Sequence, residues 1–572
     1  MDRRTFLVAA GGTALAQAAA ANDSKLPGQY FRLMDGGIAK VRKELAENPD
    51  GRMPDHYHPG ALMTAAVLYA KQHAANPRYK DRAMLALALG LGDRLAAECQ
   101  DGRYAKREDN HRDTYMWVEG YRLLVAELGT ERKTRWRGEL EKLLTVIARD
   151  TAQRQDRPAF TAPFGVSPNH TSLWTSTLYL AGQLFDRAEW ARLAGKVMHR
   201  FTQEQSRDGY WGEHVNAMPT TAYDYLTAAG VALYYEHSKD PAALESLRRN
   251  LDFHKYFTYL DGQPVMDIDD RRRHAYISPW AQFGYSHFPD GRRYAEFLTG
   301  FYRAEELSLE HLGRLAQDAL YYHAGPTAPI PQDQPRYWRQ LSVPAAIRRT
   351  GPWMVCLSGL IATQPVTTKY YLDRQGSLGV FHKDLGQIIT GANSKRQPEL
   401  ATFMEKIWGQ VYHIPLDSRL KMGDEMDRVS TVYNTLWSDL DVPPPAGNRM
   451  EFHYKVEGRP GWARPKGEPE EARLTVQLCL KNGEALETGA GRRLTLAAER
   501  TVLGPQELGG WIRHRGWKLA VPPDAVLTWP VYPFSPYTDA QETDVAYAVG
   551  ALAAPLNLAR AGVRDIAFVL EA

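Results

Sequence analysis

Cysteine is scarce in this sequence of 572 residues, since only Cys99, Cys356 and Cys479 occur. The three lie far apart and lack the short spacings of metal-binding cysteines, so they predict neither a disulfide framework nor a zinc site. We interpret them as small, buried hydrophobic side chains. After residue 21, no segment has the roughly 20 consecutive apolar residues that cross a bilayer. The sequence therefore predicts no membrane span in the folded chain.

An excess of one charge is also absent, because 70 basic residues face 67 acidic ones and the formal net charge is +3. Nucleic-acid-binding domains usually carry a basic patch or stripe, so this balance argues against a nucleic-acid partner. It still allows a local basic cleft, which an anionic substrate would require. The length exceeds what one hydrophobic core usually supports, which predicts at least two domains.

The first 21 residues have the pattern of an export signal. Arg3 and Arg4 are followed by Thr-Phe-Leu and then by an almost unbroken run of apolar and small residues from Val8 to Ala21. A charged start, a short apolar stretch and alanine-rich cleavage positions are typical of a secretory signal, and the paired arginines indicate the twin-arginine type. The run is short for a membrane anchor. We therefore expect a bacterial protein that is periplasmic or secreted.

The remaining chain changes its periodicity once. From about residue 26 to 323, apolar residues recur at intervals of three and four, which predicts ten or more helices joined by short loops. Such helices form antiparallel hairpins, and the lack of a fixed-length repeat favours a closed or nearly closed ring over a solenoid. Three prolines between Pro326 and Pro331 interrupt the helical pattern. Short, alternating segments beyond them predict antiparallel strands and a separate β domain.

Two stretches of the helical half contain residues suited to catalysis. Asn169 and His170 immediately precede an apolar helix, and a capping role would account for the asparagine but not for the adjoining histidine. Farther along, an Asp-Gly turn leads through Trp211 to a glutamate, and Tyr223 and Tyr225 follow at the start of the next helix. Two positions apart on a helix, these tyrosines cannot share a face, so if one faces a cleft the other is expected to pack. The alternative is that both tyrosines pack inside the protein.

A third stretch lies on a predicted strand of the second half, where His382 is followed by a lysine and an aspartate. This histidine is either part of an exposed polar patch or the residue by which the second domain completes a site between the domains.

Together these motifs resemble the heparinase II/III-like polysaccharide lyases, whose relatives include alginate, oligoalginate and heparan lyases. The shared features are Asn-His before a helix, an Asp-Gly-aromatic run with a glutamate, a tyrosine at a similar interval and a later strand histidine. The resemblance implies an α+β multidomain fold. An (α/α) toroid of helical hairpins would occupy residues 22–323, a linker residues 324–345 and an antiparallel β-sandwich residues 346–572.

The resemblance also implies roles for these residues. Asn169 and His170 would neutralise the carboxylate of a uronic acid, Tyr223 would shuttle protons with Tyr225 as its rival, and His382 would be the histidine of the second domain. The sequence departs from the family at Phe-His-Lys-Asp, which replaces a histidine-rich, aspartate-containing strand. This departure puts the role of His382 in question. No cofactor is required, and a structural divalent metal is left open.

The chemistry is reasonable without the family. The proton beside a uronate carboxylate is hard to remove because that charge opposes a developing carbanion, and amide or cationic donors offset it. A tyrosine with an unperturbed pKa of about 10 becomes a usable base beside a positive charge. The implied reaction is cleavage of an acidic polysaccharide or oligosaccharide by β-elimination.

Further polar and aromatic residues are candidate contacts to such a substrate. Arg112 is the best candidate for a bidentate grip on a carboxylate. The other candidates share a position in or beside the same clusters and are His111, Trp117, Glu119, Trp211, Glu213 and Arg271.

Two other functions use the same residues differently. A glucuronidase-like hydrolase on a toroid would need two carboxylates flanking the scissile bond, and the available acids are Asp113, Glu119, Asp208 and Glu213. A non-catalytic periplasmic glycan-binding protein would need the aromatic residues and Arg112, but not Asn169, His170 or Tyr223.

Overall fold

The computed structural model describes residues 25–47, 57–106, 113–154, 168–213, 218–271, 273, 276–277, 279–361, 372–394, 396–459, 471–558 and 562–572. In this part of the chain a helical half precedes a strand-rich half. The helices of the first half are α1 (Leu26–Glu47), α2 (Tyr57–Ala70), α3 (Arg82–Gln100), α4 (Thr114–Leu124), α5 (Thr130–Arg154), α6 (Pro168–Leu184), α7 (Ala188–Gln203), α8 (Thr221–Ser238), α9 (Pro241–Tyr256), α10 (Gln282–Tyr285), α11 (Pro289–Thr299) and α12 (Leu309–Tyr321). None of these helices has the length and apolarity that a membrane crossing requires.

The even-numbered helices form a closed inner ring. Along the chain each packs against the next, from α2 to α4 and onward to α12, and α12 packs back against α2. The odd-numbered helices surround this ring. Helix α8 is buried from Thr221 to Tyr234 with the exception of Tyr223, as expected of a helix enclosed on all sides. The predicted toroid of hairpins is confirmed.

The inner helices run parallel to one another, because each outer helix returns the chain to the end where it started. In α4 and α12, Arg314 contacts Tyr115 near one end and Tyr321 contacts Glu119 near the other. The ring therefore has two distinct ends. We call the end built from the first turns of α4, α6, α8 and α12 and from residues 204–213 and 257–271 the N-terminal mouth.

The described residues of the second half form an antiparallel β-sandwich that also contains the short helix α13 (Pro505–Leu508). The strands are β1 (Arg336–Gln340), β2 (Ala345–Thr350), β3 (Trp353–Leu360), β4 (Leu372–His382), β5 (Gly386–Thr390), β6 (Asn393–Ser394), β7 (Phe403–Ile407), β8 (Gln410–Tyr412), β9 (Asp417–Lys421), β10 (Asp427–Val432), β11 (Leu436–Val442), β12 (Arg449–Gly458), β13 (Glu471–Leu478), β14 (Ala485–Thr488), β15 (Arg493–Thr495), β16 (Thr501–Leu503), β17 (Trp511–His514), β18 (Trp517–Ala520), β19 (Val526–Val531), β20 (Phe534–Ser535), β21 (Ala540–Gln541), β22 (Val549–Pro555) and β23 (Val563–Glu571).

Two large sheets form the layers of the sandwich. One has the strand order β1-β2-β3-β4-β5-β13-β22-β19-β16 with β6, β7 and β8 attached, and the other has the order β15-β14-β17-β18-β23-β12-β11-β10-β9. Alternate residues of each strand face the space between the sheets, where Val380 and Val476 of the first pack with Leu440, Phe452 and Phe568 of the second. The fold class predicted from the sequence is confirmed.

The boundary between the halves differs from the prediction. Residues 324–345 were expected to form a linker, but β1 begins at Arg336 and pairs with β2 through Arg336–Thr350. The connection between α12 and β1 is therefore shorter and includes a single 3-10 turn, Pro331–Asp333. The prolines correctly marked where the helices end, whereas the strand after them lacked an alternating apolar pattern because β1 is mostly exposed.

The first sheet packs directly on the toroid beside the N-terminal mouth. Tyr259, which follows α9, stacks on Phe381 of β4 with ring centroids 4.7 Å apart. The buried carboxylate of Asp267 accepts hydrogen bonds from the toroid and from the sandwich, including those of Tyr259 at 2.8 Å and Gln387 at 2.8 Å. This apolar and polar contact fixes the sheet against the loops that carry the candidate site.

Candidate active site

Asn169 and His170 lie in the first turn of α6, which begins at Pro168. Proline suits this position because its missing N–H would have no partner within the helix. Asn169 is buried, while His170 is half-buried with its ring 5.3 Å from that of Trp174, one turn farther along. His170 and Trp174 thus form one partly exposed strip at the N-terminal mouth.

A tight turn before α8 positions the second motif. Gly209 has a φ of +96°, and a side chain there would meet the carbonyl oxygen of Arg249 at 2.2 Å, so the position requires glycine. The following strip is held against α8 because Asp224 accepts a hydrogen bond from the Trp211 backbone N–H at 2.8 Å. The turn and this bond place Glu213 at the start of α8.

The two tyrosines of α8 have different environments. Tyr225 is 6% exposed, its hydroxyl lies 2.6 Å from that of Tyr294, and its ring stacks on His254 with centroids 3.7 Å apart. Tyr223 is only half-buried, and the Arg271 guanidinium lies over its ring, 5.3 Å from the centroid. Only Tyr223 of the two is therefore accessible from the N-terminal mouth.

Arg271 links the parts of this region. Its guanidinium forms an ion pair with the carboxylate of Glu213 while it covers Tyr223. The loop that carries it is tied to the start of α8, since Thr221 donates to Asp269 at 2.8 Å and Thr220 donates to Asp270 at 2.9 Å. We call Glu213, Tyr223 and Arg271 the arginine cluster.

The sandwich also reaches the arginine cluster. Tyr537, in the connection between β20 and β21, is close enough to Arg271 to interact with it electrostatically. Burial acts to lower the pKa of Arg271, but Glu213 and the two tyrosine hydroxyls outweigh it, so that this pKa lies above its ordinary value. Arg271 thus stays charged beside Tyr223.

The carboxyl of Glu213 is the most strongly perturbed group of the cluster. It is 5% exposed, and its burial raises its pKa to about 7. Arg271 acts to lower this pKa, whereas the negative charges of Asp269 and Asp224 nearby act to raise it. A carboxyl that titrates near neutrality is suited to proton transfer.

This raised pKa predicts a pH-dependent stability. Well below pH 4.5 the Glu213 carboxyl is protonated in both the folded and the unfolded protein. As the pH rises toward 7, this carboxyl ionises first in the unfolded chain, so the free energy of unfolding falls by about 3 kcal/mol. Glu213→Gln lacks this group and is expected to become more stable relative to the wild type over that interval. Denaturant unfolding at pH 4.5 and 7.5 measures the difference, and parallel profiles for the two proteins would contradict it.

A second group of rings lies at the start of α12, where His311 is partly exposed and Trp280 is buried. His311 lies 5.8 Å from the exposed Tyr276 and 6.4 Å from Trp280, measured between ring centroids. Burial lowers the pKa of His311, which favours its neutral form. Beneath it the buried Arg314 contacts Tyr115 and lies over the Trp280 ring. These rings form an aromatic wall of the N-terminal mouth.

Several predicted substrate contacts are not positioned to meet a substrate. Trp117 is fully buried and packs near Tyr104, and Trp211 is 2% exposed and stacks on Phe201, so neither presents a face to a sugar. Glu119 is also fully buried, and it lies at the opposite end of the ring. Its partners there are Tyr321 and Arg122, so the interpretation of Glu119 as a substrate contact is wrong. His111 and Arg112 lie outside the described residues.

His382 does not complete a site between the domains. Successive strand residues point to opposite faces of a sheet. Because Phe381 faces the toroid, His382 points into the sandwich, where its ring meets that of Trp353 at 4.7 Å and its Nδ1 accepts from the Asp384 backbone N–H at 3.3 Å. Burial lowers its pKa despite the charge of Asp384. Within the described residues no metal-type group of side chains surrounds His382.

Asn169 and His170 thus lie on α6, which packs against α8, the helix that carries Tyr223, and Arg271 contacts both Glu213 and Tyr223. The sequence missed Tyr537, Tyr276, Trp280 and His311. Tyr537 lies in a loop without helical or strand pattern, and its approach to Arg271 depends on the docking of the domains. His311 lies in the first turn of α12, which Ser308 caps. The serine predicts where a helix begins, but it does not predict that the histidine beside it lies at the mouth.

No family model and no curated protein matches the sequence. Solved structures similar to this chain include a mutant heparan sulfate lyase from Pedobacter heparinus, with 12% identity and a TM-score of 0.49, where the match covers 91% of this chain and 78% of that chain. A heparinase III is also similar, with 11% identity and a TM-score of 0.42, where the match covers 93% of this chain and 90% of that chain. An unsaturated glucuronyl hydrolase from Bacillus sp. GL1 matches 51% of this chain over 96% of its own (11%, 0.39). Similarity at this level assigns neither a family nor an activity.

Proposed function

We propose that this chain is an exported polysaccharide lyase that cleaves a uronic-acid-containing glycan by β-elimination at the N-terminal mouth. The observation that carries the proposal is the pairing of an accessible phenol with a guanidinium, in which Arg271 lies over the ring of Tyr223. The base that the reaction needs is the phenolate of Tyr223, and Arg271 places a positive charge over the ring that carries it. The phenol so formed then delivers its proton to the leaving oxygen.

The uronate carboxylate would bind at the start of α6. His170 offers a partly exposed imidazole and Asn169 an amide that is 1% exposed, and both lie in the first turn of a helix, whose backbone dipoles favour an anion. Donors placed here offset the charge that builds on the carboxylate as the adjacent C–H bond breaks. Since α6 packs directly on α8, the carboxylate and the base approach one sugar from neighbouring helices.

The other parts of the proposal come from the sequence. The signal-like residues 1–21 favour a periplasmic or secreted protein, which would meet acidic polysaccharide outside the cytoplasm. The solved structures named above include enzymes whose names refer to heparan sulfate and glucuronyl substrates. We therefore place a glycosaminoglycan-like, uronate-containing chain first among the substrates to be tried.

A hydrolase is the second candidate, and one observation favours it. The buried Glu213, whose pKa is raised to about 7, has the protonation behaviour of a general acid. Of the other acids considered for this role, Glu119 lies at the far end of the ring and Asp208 bonds Ser342 of the sandwich. Asp113 is buried with Arg314. Among these three described acids, none is therefore placed to act as the second carboxylate that a hydrolase needs beside Glu213.

The products of the reaction distinguish the two functions. We expect purified protein, incubated with heparan sulfate, hyaluronan, chondroitin sulfate and alginate, to raise the ultraviolet absorbance of unsaturated uronate with at least one of them. New reducing ends without this absorbance would contradict the lyase and support the hydrolase. Retained binding without either product would identify a glycan-binding protein.

A further inference from the structure

A cluster of metal-type side chains lies at the end of the ring opposite the N-terminal mouth. It contains Glu236, in the last turn of α8, His287, just after α10, and His323, just after α12. The three donor atoms lie within 4.8 Å of one another. We call these residues the Glu-His-His cluster. It takes no part in the proposed lyase reaction.

Both imidazoles converge on one carboxylate oxygen. His287 Nε2 lies 2.7 Å and His323 Nε2 2.9 Å from Glu236 Oε1, and the two imidazole rings are 3.8 Å apart between centroids. A tetrahedral zinc ion with bonds of about 2.0–2.1 Å would hold its donor atoms about 3.3 Å apart. Opening these contacts by about half an ångström is within the reach of side-chain rotation.

The surroundings hold the ligands in place. Lys239 donates to the other oxygen of Glu236 at 2.9 Å, which leaves Oε1 directed at the histidines. The backbone N–H of His323 donates to the Ser286 hydroxyl at 2.9 Å, so the segments carrying the two histidines are already joined. Such outer contacts fix the orientation of metal ligands.

The position also favours a cation and admits one. The ends of α8 and α12 expose carbonyl groups, which give the carboxyl end of a helix a partial negative charge. The side chain of Glu236 is 5% exposed, that of His287 14% and that of His323 40%. The cluster is therefore shielded on one side and open to solvent at His323.

We propose that the Glu-His-His cluster binds one divalent transition-metal ion of the zinc class. Two imidazole nitrogens and one carboxylate oxygen are a ligand set that zinc uses, with water completing the tetrahedron at the open side. The ion ties α8 to the loop after α10 and to His323, which begins the connection to the sandwich. Its effect is to stabilise this end of the toroid, independently of the reaction at the mouth.

Zinc titration of the untagged full-length protein tests this site. After dialysis against EDTA, calorimetric titration with zinc chloride at pH 7.5 is expected to show one equivalent bound, with the metal content checked by mass spectrometry. His287→Ala and His323→Gln are each expected to weaken this binding at least about 100-fold, since even outer-shell changes cost 10–100-fold. Saturating zinc is expected to raise the Tm of the wild type and not of either variant.

A matched histidine serves as the control. His199 pairs with a single carboxylate, Asp240, at 2.8 Å on the surface of the toroid, and His199→Ala is expected to bind zinc as the wild type does. Because the side chain of His323 is partly exposed, His323→Gln keeps the test valid if His287→Ala does not fold. The absence of a stoichiometric zinc site in the wild type, or binding that survives both substitutions, would overturn the proposal.

Discussion

Replacing Tyr223 by phenylalanine is expected to lower kcat about 10³-fold on whichever uronate-containing glycan the protein cleaves, with little change in substrate affinity. The substitution removes one hydroxyl and keeps the ring beneath Arg271. General acid–base groups contribute about 10²–10⁴-fold to rate, and in the proposed reaction this hydroxyl both accepts and returns the proton. Initial rates from ultraviolet absorbance, together with calorimetric binding of the intact oligosaccharide, separate kcat from affinity.

Tyr225→Phe is the matched comparison, because it removes the same atom two positions away. The Tyr225 hydroxyl is buried against Tyr294, which keeps a second contact to Thr258 at 2.7 Å. We expect this variant to retain most of its activity and to lose about 1 kcal/mol of stability. Full activity in Tyr223→Phe together with an inactive but folded Tyr225→Phe would transfer the role to the buried tyrosine. Two active variants would remove the mechanism.

Replacing Asp267 by alanine is expected to destabilise the protein by about 4 kcal/mol. Its carboxylate accepts four hydrogen bonds at the contact between the domains: from Tyr259 at 2.8 Å, Gln387 at 2.8 Å, Thr390 at 2.9 Å and the Gly391 backbone N–H at 3.2 Å. Removal of this acceptor leaves several donors buried without a partner, and that penalty exceeds the value of the bonds themselves. Denaturant unfolding followed by circular dichroism measures the loss.

Asp208→Ala is the control, since Asp208 is also an interdomain carboxylate but is only partly buried. It accepts from the backbone N–H and the hydroxyl of Ser342, which solvent can replace, so we expect a loss of about 1 kcal/mol or less. Gly379→Ala provides a second route to the same effect, because the new Cβ would lie 2.3 Å from an Asp267 carboxylate oxygen. Equal losses for Asp267→Ala and Asp208→Ala would contradict the role assigned to Asp267.

Much of the fold was predictable because its signals are local. Helical periodicity and the prolines after residue 325 identified a helical half followed by a strand-rich half. The same kind of signal located the start of α6, whose first turn carries Asn169 and His170, and the Gly209 turn that precedes Glu213. Strand β1 was not predicted because an exposed strand shows no alternation of apolar and polar residues.

The directions of individual side chains were not predictable. Spacing showed that Tyr223 and Tyr225 face different ways, but only the packing of α9 and α11 against α8 buries Tyr225. Likewise, alternation along β4 opposes Phe381 to His382, yet only the docking of the sheet decides which of them faces the toroid. His382, predicted to lie either in an exposed polar patch or in a site between the domains, points into the sandwich instead.

The amino-acid sequence by itself determined the order of the two domains and the segments that carry candidate catalytic groups. These depend on residues close together in the chain, whose periodicity and turn chemistry act within one element. Tertiary structure alone decided that Glu119 lies at the far end of the ring, that Arg271 covers Tyr223 and that Glu236 meets two histidines 51 and 87 residues later. Such contacts arise from ring closure and domain docking, which bring together residues that no local pattern relates.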